Sequence, residues 1–397
     1  MRATTQPSQI TLIRERRATC IVFLAHGTWN GTFASRLPWI AARLHMSSGL
    51  VGAVGLAASA GALTAIPLAA RFVHRLGAKQ ATRILIGAAG IVLALPPLAP
   101  NVAVLAVTLL AAGAALGTAD NAINAQGIEA EGRFGKSIMS GLHGMWSLGV
   151  LAGALIGSLA ARVGVDPRIQ FTVVGAAMVA AGVAAPAWFA GTPAAADVPD
   201  AEVPRFAWPR GLILLMGLVA FAAVYVEIAT NDWSAIFMRW ELHTSQSRAA
   251  IATAAFALTM ASGRLCGDAV VRRIGPELAV RACGFLGIAG CLLVALAPDD
   301  IAAIAGFMLI GLGVSVVVPL VFAAAGRSGP SVAIAVAGVA TVSYGAGLAA
   351  PSVMGGVADL TSLRIAFAVS ALVAVGVAAG AGLLGRETTD NNAVATE

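Results

Sequence analysis

The chain has 397 residues, 58% of them apolar (Ala, Val, Ile, Leu, Met, Phe, Trp, Tyr, Cys) and 11% charged, with a formal net charge of +6 and a mean hydropathy of +0.86. Soluble domains carry about 25% charged residues, so a soluble enzyme, a disordered chain and a secreted disulfide scaffold are excluded. Long unbroken apolar runs replace the ~10-residue alternating segments of an outer-membrane barrel, which leaves helices that pair their own backbone groups inside lipid.

In chain order, a polar, basic segment, residues 1–17, comes first. The apolar run that follows carries no small-residue cleavage site, so it reads as a first transmembrane helix rather than a removed signal. Eleven runs are free of Asp, Glu, Lys and Arg: 18–35, 44–70, 84–119, 137–161, 169–196, 211–226, 249–263, 282–298, 301–326, 328–358 and 365–385. A helix crosses the ~30 Å hydrocarbon core with about 20 residues. The third run holds two helices, because Pro96, Pro97, Pro100 and Asn101 mark a turn in its middle. Twelve spans result. Runs 211–226, 249–263 and 282–298 are short, so their helices must continue past a charged residue or sit shallow.

With the N-terminus inside, cytoplasmic segments hold 18 Lys and Arg and outer segments 7, which places both ends in the cytoplasm. These basic residues lie in short loops and form no patch, so no nucleic-acid partner is expected. The four cysteines, Cys20, Cys266, Cys283 and Cys291, lack CxxC spacing and read as small buried residues rather than metal ligands or a disulfide.

The longest polar, Pro-rich stretch is residues 191–210, and it divides the chain into halves related by a constant offset of 198. Leu44, His45 and Ser47 match Leu242, His243 and Ser245; Arg75 and Gly77 match Arg273 and Gly275; Gly113 matches Gly311; Gly149, Gly157 and Ala160 match Gly347, Gly355 and Ala358; Trp146 stands opposite Tyr344. The expected organisation is a cytoplasmic N-terminus (1–17), a six-helix bundle (18–190), a central cytoplasmic loop (191–210), a second six-helix bundle (211–386) and a tail (387–397). Two parallel halves of this kind describe a rocker-type secondary transporter.

The loop His74-Arg75-Leu76-Gly77-Ala78-Lys79 resembles the D-R-x-G-R-K signature of the major facilitator superfamily, departing at His74 and Ala78. Its second-half copy runs Gly263-Arg264-Leu265-Cys266-Gly267-Asp268, then Arg272-Arg273-Ile274-Gly275. The resemblance covers residues 18–386. Asp120 through Gln126, Glu227 through Ser234, Arg36-Leu37-Pro38 and Leu360 through Arg364 are similar to a YbjJ-like or MosC-like bacterial branch near the fucose permeases. It implies an all-α integral membrane protein with twelve transmembrane helices in two six-helix bundles, located in the bacterial inner membrane. It also implies gating roles for Arg75, Gly77, Arg264, Asp268, Arg273 and Gly275, the arginines lying near helix C-termini where a cation is favoured. Positive-inside topology alone would account for the same arginines.

An acid within a span costs ~3 kcal/mol, so it usually faces a wet cavity. Asp120 interrupts span four, with Asn124 one turn on and sharing its face. Whether Asp120 is deep or interfacial depends on where that helix ends. Glu227 lies near the middle of span seven, with Asn231 on the same face and Asp232 and Trp233 further out. Removing a carboxylate from water favours its neutral form, which would let Asp120 and Glu227 carry protons. The resemblance places a solute cavity among spans 1, 4, 7 and 10 with help from 5, 8 and 11. Candidate solute contacts are Trp29, Asn30, Asn124, His143, Trp146, Asn231, Trp233 and Tyr344, whose rings can stack on a sugar face while amides read hydroxyls. Packing or interface roles are the plain alternative for the aromatic residues. Span five has glycines at 141, 149, 153 and 157 but no Gly-Pro, which weighs against a drug:proton antiporter.

The expected function is secondary active transport of a small polar solute (a sugar, polyol or related metabolite), coupled to protons. The alternatives are a proton-driven exporter of a drug or cationic metabolite, and a non-transporting membrane sensor. An enzyme is not expected, since HExxH and GxSxG are absent, and neither is ATP use, since GxxxxGK[ST] is absent. No cofactor and no metal are expected; the partners are the solute, protons and the bilayer, acting on a monomer.

Overall fold

The structure, a computed structural model, describes residues 9–134, 138–189, 209–328 and 332–384. The N-terminal eight residues, nearly all of the central loop and the C-terminal tail lie outside them. Among the described residues every regular element is helical. The helices are α1 (Gln9–Arg43), α2 (Ser48–Leu93), α3 (Val102–Phe134), α4 (Met139–Arg162), α5 (Pro167–Ala184), α6 (Gly211–Trp240), α7 (Gln246–Ile274), α8 (Pro276–Ala295), α9 (Asp300–Val314), α10 (Val317–Ser328), α11 (Val332–Leu360) and α12 (Leu363–Gly380).

Helix α2 is two spans joined at Gly77, whose φ of 73° and ψ of 156° break the helical path. Together α9 and α10 make one span, Asp300–Ser328. Among the described residues the spans therefore number twelve, and ten segments are long and apolar enough to cross a membrane. The proline cluster forms the expected turn, with a short 3-10 helix at Pro96–Leu98 ahead of α3. All three short runs continue past charge. Helix α6 runs through Glu227 and Asp232, α7 through Arg264, and α8 begins beside Glu277.

Local chemistry sets the helix ends. Asp166, Ser245, Asp299 and Ser362 are N-caps whose side chains accept the N–H of Arg168, Arg248, Ala302 and Ile365. The 198-residue offset reappears in the backbone. His45 and His243 both have φ of 52°, and Ser47 and Ser245 then accept the N–H three residues on. Gly77 and Gly275 share a left-handed conformation, φ 73° and 81°, where a side chain would be strained. Gly113 lies against the carbonyl of Ala58, and Gly311 lies against that of Phe256, the same pair 198 residues later.

The chain forms two compact units, Met1–Phe33 with Ala57–Val198, and Ala34–Leu56 with Pro199–Glu397. In the first, α1 and α4 meet backbone to backbone through small residues. A Cβ on Gly31 would lie 1.9 Å from the Val150 carbonyl oxygen, so only glycine permits this approach. Phe23, Ile86, Ile123 and Leu142 fill the core beside it. In the second unit α6 packs on α7, α11 and α12, and α8 packs on α9 and α12. Phe237, Phe307 and Phe367 meet edge to face at 5.5–6.0 Å. Gly52 of α2 rests on Pro351 and Gly355, and the Gly49 N–H donates to Asp359 Oδ1 at 3.0 Å.

Candidate functional site

Helix α3 continues well past Asp120. The helix runs to Phe134, beyond Glu129, so Asp120 stands 14 residues from its end, about 21 Å at 1.5 Å per residue. Its carboxylate is half-buried and has no hydrogen-bond partner among the described residues. Asn124, one turn on, donates to the Asp120 carbonyl at 2.8 Å.

A histidine absent from the sequence-based set stands beside this stripe. His26 of α1 is 5% exposed; the Trp146 indole N–H donates to its Nδ1 at 3.0 Å, and its Nε2 lies 3.2 Å from the carbonyl oxygen of Leu116. An indole N–H can only donate, so Nδ1 accepts and Nε2–H donates to Leu116. Leu116 is one turn before Asp120, so the bonds tie α4, α1 and the Asp120 stripe of α3 together. Trp29 and Asn30 follow His26 by three and four residues on α1. Trp29 is 4% exposed, stacks on Phe33 at 5.3 Å, and has a buried indole N–H without an acceptor among the described residues. Asn30 is half-buried. His143 is exposed on α4 and meets the edge of Phe23 at 5.6 Å.

Nearer the start of α1 lies a second polar cluster that the sequence does not advertise. Glu15 is 1% exposed and accepts from Gln126 at 3.0 Å and Arg133 Nε at 3.1 Å, while Arg133 also pairs with Glu129 at 3.5 Å. It fastens α1 to the last turns of α3.

In the second unit, Glu227 is the seventeenth of 30 residues of α6. Arg264 Nη2 lies 3.2 and 3.3 Å from its two carboxylate oxygens. This corrects the reading of Arg264 as a loop residue: it lies inside α7, ten residues before the helix ends at Ile274, and its charge is matched by a carboxylate on the neighbouring helix. Asp268 also belongs to α7, but its side chain lies outside the described residues. Asn231 is half-buried and donates to Asp232 Oδ1 at 2.8 Å. Trp233 is 2% exposed, a core side chain of α6, whereas Tyr344 on α11 is 55% exposed. The structure thus ties Trp146, through His26, to the Leu116 carbonyl one turn before Asp120 on α3, and pairs Glu227 with Arg264. The expected loop residues Arg75 and Arg273 are exposed, beside Gly77 and Gly275.

A duplicated set of helices long and apolar enough to cross a membrane, with ionisable side chains inside them, describes a multi-pass membrane protein. The family model of the Major Facilitator Superfamily matches residues 18–349, and the chain belongs to that superfamily. It is 32% identical over 375 residues to an uncharacterized MFS-type transporter of Yersinia pestis, covering 93% of this chain and 95% of that one. It is 26% identical over 366 residues to the membrane protein MosC of Rhizobium meliloti, covering 91% and 87%. Among solved structures it is similar in fold to the nucleoside transporter NupG, in a mutant form (TM-score 0.74, 14% identity, 94% of this chain and 99% of that one). It is also similar to the E. coli fucose:proton symporter FucP (TM-score 0.64, 17% identity, 94% and 99%). The expected fold and family stand, and the family is one of transporters rather than enzymes.

Proposed function

We propose that the protein carries a small polar solute (a sugar, a polyol or a related metabolite such as a nucleoside) across the bacterial inner membrane by alternating access, driven by protons, with both chain ends in the cytoplasm. The observation that carries the proton step is the mid-helix ion pair of Glu227 with Arg264. A carboxylate that exchanges a guanidinium for a proton changes charge inside the membrane, and that change can be coupled to movement. Asp120, likewise well inside its helix and unpaired among the described residues, is the second proton carrier in this scheme.

The solute class follows from the polar groups at hand. Asn30, Asn124 and Asn231 offer amides to read hydroxyls, Trp29 offers a buried N–H without an acceptor among the described residues, and the half-buried Trp146 offers an aromatic face. Glu227 already has a cation, which favours a neutral polar solute over a cationic drug.

The test begins with thermal shifts of the purified protein against L-fucose, mannitol and uridine at two pH values. The stabilising compound is then supplied to vesicles with an imposed proton gradient. Glu227→Gln should abolish accumulation while sparing energy-independent exchange. Full accumulation by that variant removes Glu227 from the scheme.

A further inference from the structure

Helix α1 begins at Gln9, well before the apolar run, and its first turns carry Arg14, Arg16 and Arg17 beside a single acid, Glu15. That acid is turned inward and taken up by Gln126 and Arg133. Arg16 lies over the Phe134 ring, 5.6 Å from its centre. Arg14 and Arg17 are exposed and have no ion-pair partner among the described residues.

The surface around these two guanidinium groups is apolar. Positions 10, 14, 17 and 21 follow one another at helical spacing, and Ile10 and Ile21 on that stripe are 64% and 39% exposed. On the neighbouring chain segment Val183 and Trp188 are 54% and 53% exposed. Lys79 holds that segment by donating to the Phe189 carbonyl at 3.1 Å. Between α1 and this segment lies a cavity of about 350 Å³, lined among the described residues by Arg14, Arg17 and Trp188.

We propose that this cavity binds the phosphodiester headgroup of an anionic phospholipid. Arg14 and Arg17 hold the phosphate oxygens, and guanidinium groups suit that geometry. Trp188 lies at headgroup level, where indole rings are at home. Ile21 and Val183 offer apolar surface to the acyl chains. Two uncompensated positive charges select an anionic over a zwitterionic lipid, and the arginine count places this face on the negatively charged cytoplasmic side. The inference rests on the inward orientation of the N-terminus but not on any solute or proton step.

The test is native mass spectrometry of the full-length protein released from micelles containing dioleoylphosphatidylglycerol or dioleoylphosphatidylcholine. Wild type should retain phosphatidylglycerol preferentially. Arg14→Gln with Arg17→Gln should lower that retention about tenfold or more, the scale set by two basic side chains at an anionic surface. Arg162→Gln with Arg168→Gln, on the other face, should leave it unchanged. Equal melting midpoints without added lipid check the fold; if the double variant fails to fold, Trp188→Ala and each single arginine variant must lower retention instead. Retention unchanged in these variants overturns the proposal. So does displacement of the lipid by millimolar inorganic phosphate, which marks a site for a free anion.

Discussion

Glu227→Gln leaves Arg264 with a charge that it cannot shed, because a guanidinium stays protonated under all ordinary conditions. Both side chains are largely hidden, Arg264 at 13% and Glu227 at 17% exposure, so water does little to screen the loss. Removing one partner of such a pair costs about 3–5 kcal/mol, roughly two to four powers of ten in the folded-to-unfolded ratio. Arg264→Gln should cost less, since the carboxylate left behind can neutralise itself by taking a proton. The double variant, with two neutral amides facing each other, should recover most of the loss. Equilibrium unfolding of the four proteins in mixed micelles, followed by tryptophan fluorescence, measures the cycle. If Glu227→Gln unfolds like wild type, or if the double variant is no better than Glu227→Gln alone, the two residues are not an energetically coupled pair and the argument from burial is wrong.

Three further outcomes follow from the geometry. Arg133→Gln removes the ion-pair partner of the 1%-exposed Glu15 and should cost about 3–5 kcal/mol, whereas Arg281→Gln, in a pair with 46% and 41% exposure, should cost under ~1 kcal/mol; melting midpoints of the two variants compare them directly. Gly31→Val must push its Cβ into the Val150 carbonyl 1.9 Å away, so the monodisperse fraction in size-exclusion chromatography should collapse, while Gly87→Ala, with nothing within 4 Å, leaves it intact. The Gly49 N–H holds the Asp359 carboxyl below its ordinary value of 3.8. The charged contact is therefore complete above 3.8 and is lost only as pH falls through the lowered value. Hydrogen exchange of a peptide spanning residues 46–52 should stay slow in wild type at pH 5 and speed up at pH 7 in Asp359→Ala.

Much of this was open to a reader of the sequence because lipid imposes a simple rule. Long apolar runs become helices, and the prolines at 96, 97 and 100 break one run where the chain turns. Asp120 lies well inside α3 because that helix continues to Phe134. At Arg264 the sequence left two readings open, because Gly-Arg-Leu-Cys-Gly-Asp resembles a loop signature while the short run 249–263 required a helix that continues past charge or sits shallow. The helix continues to Ile274 and Arg264 pairs with Glu227, 37 positions earlier, a partner that no local pattern announces at that distance. His26 was passed over for a similar reason. A lone histidine in an apolar run has no motif, and its donor, Trp146, lies 120 positions away. Glu15 falls in the segment 1–17, read as a polar, basic N-terminus ahead of the first span, whereas α1 already begins at Gln9 and turns that carboxylate inward.

The duplication separates what the fold needs from what transport needs. At an offset of 198, the matched positions are those where the backbone is constrained: the left-handed His45 and His243, the capping Ser47 and Ser245, the turns at Gly77 and Gly275, and the close approaches of Gly113 and Gly311. At the same offset the deep polar residues find no counterpart. Glu227 stands opposite Trp29, Arg264 opposite Ile66, Asp120 opposite Val318, Asn124 opposite Phe322 and His26 opposite Val224. A scaffold residue is held in both copies because both copies must fold, and each depends on the same turns and contacts. A buried charge costs stability wherever it sits, so duplicating it would double that cost without a second solute to serve. The polar residues found in one copy only therefore have no counterpart among the turns and close contacts that both halves share, and they include the ion pair on α6 and α7 and, in the first half, His26, Asp120 and Asn124.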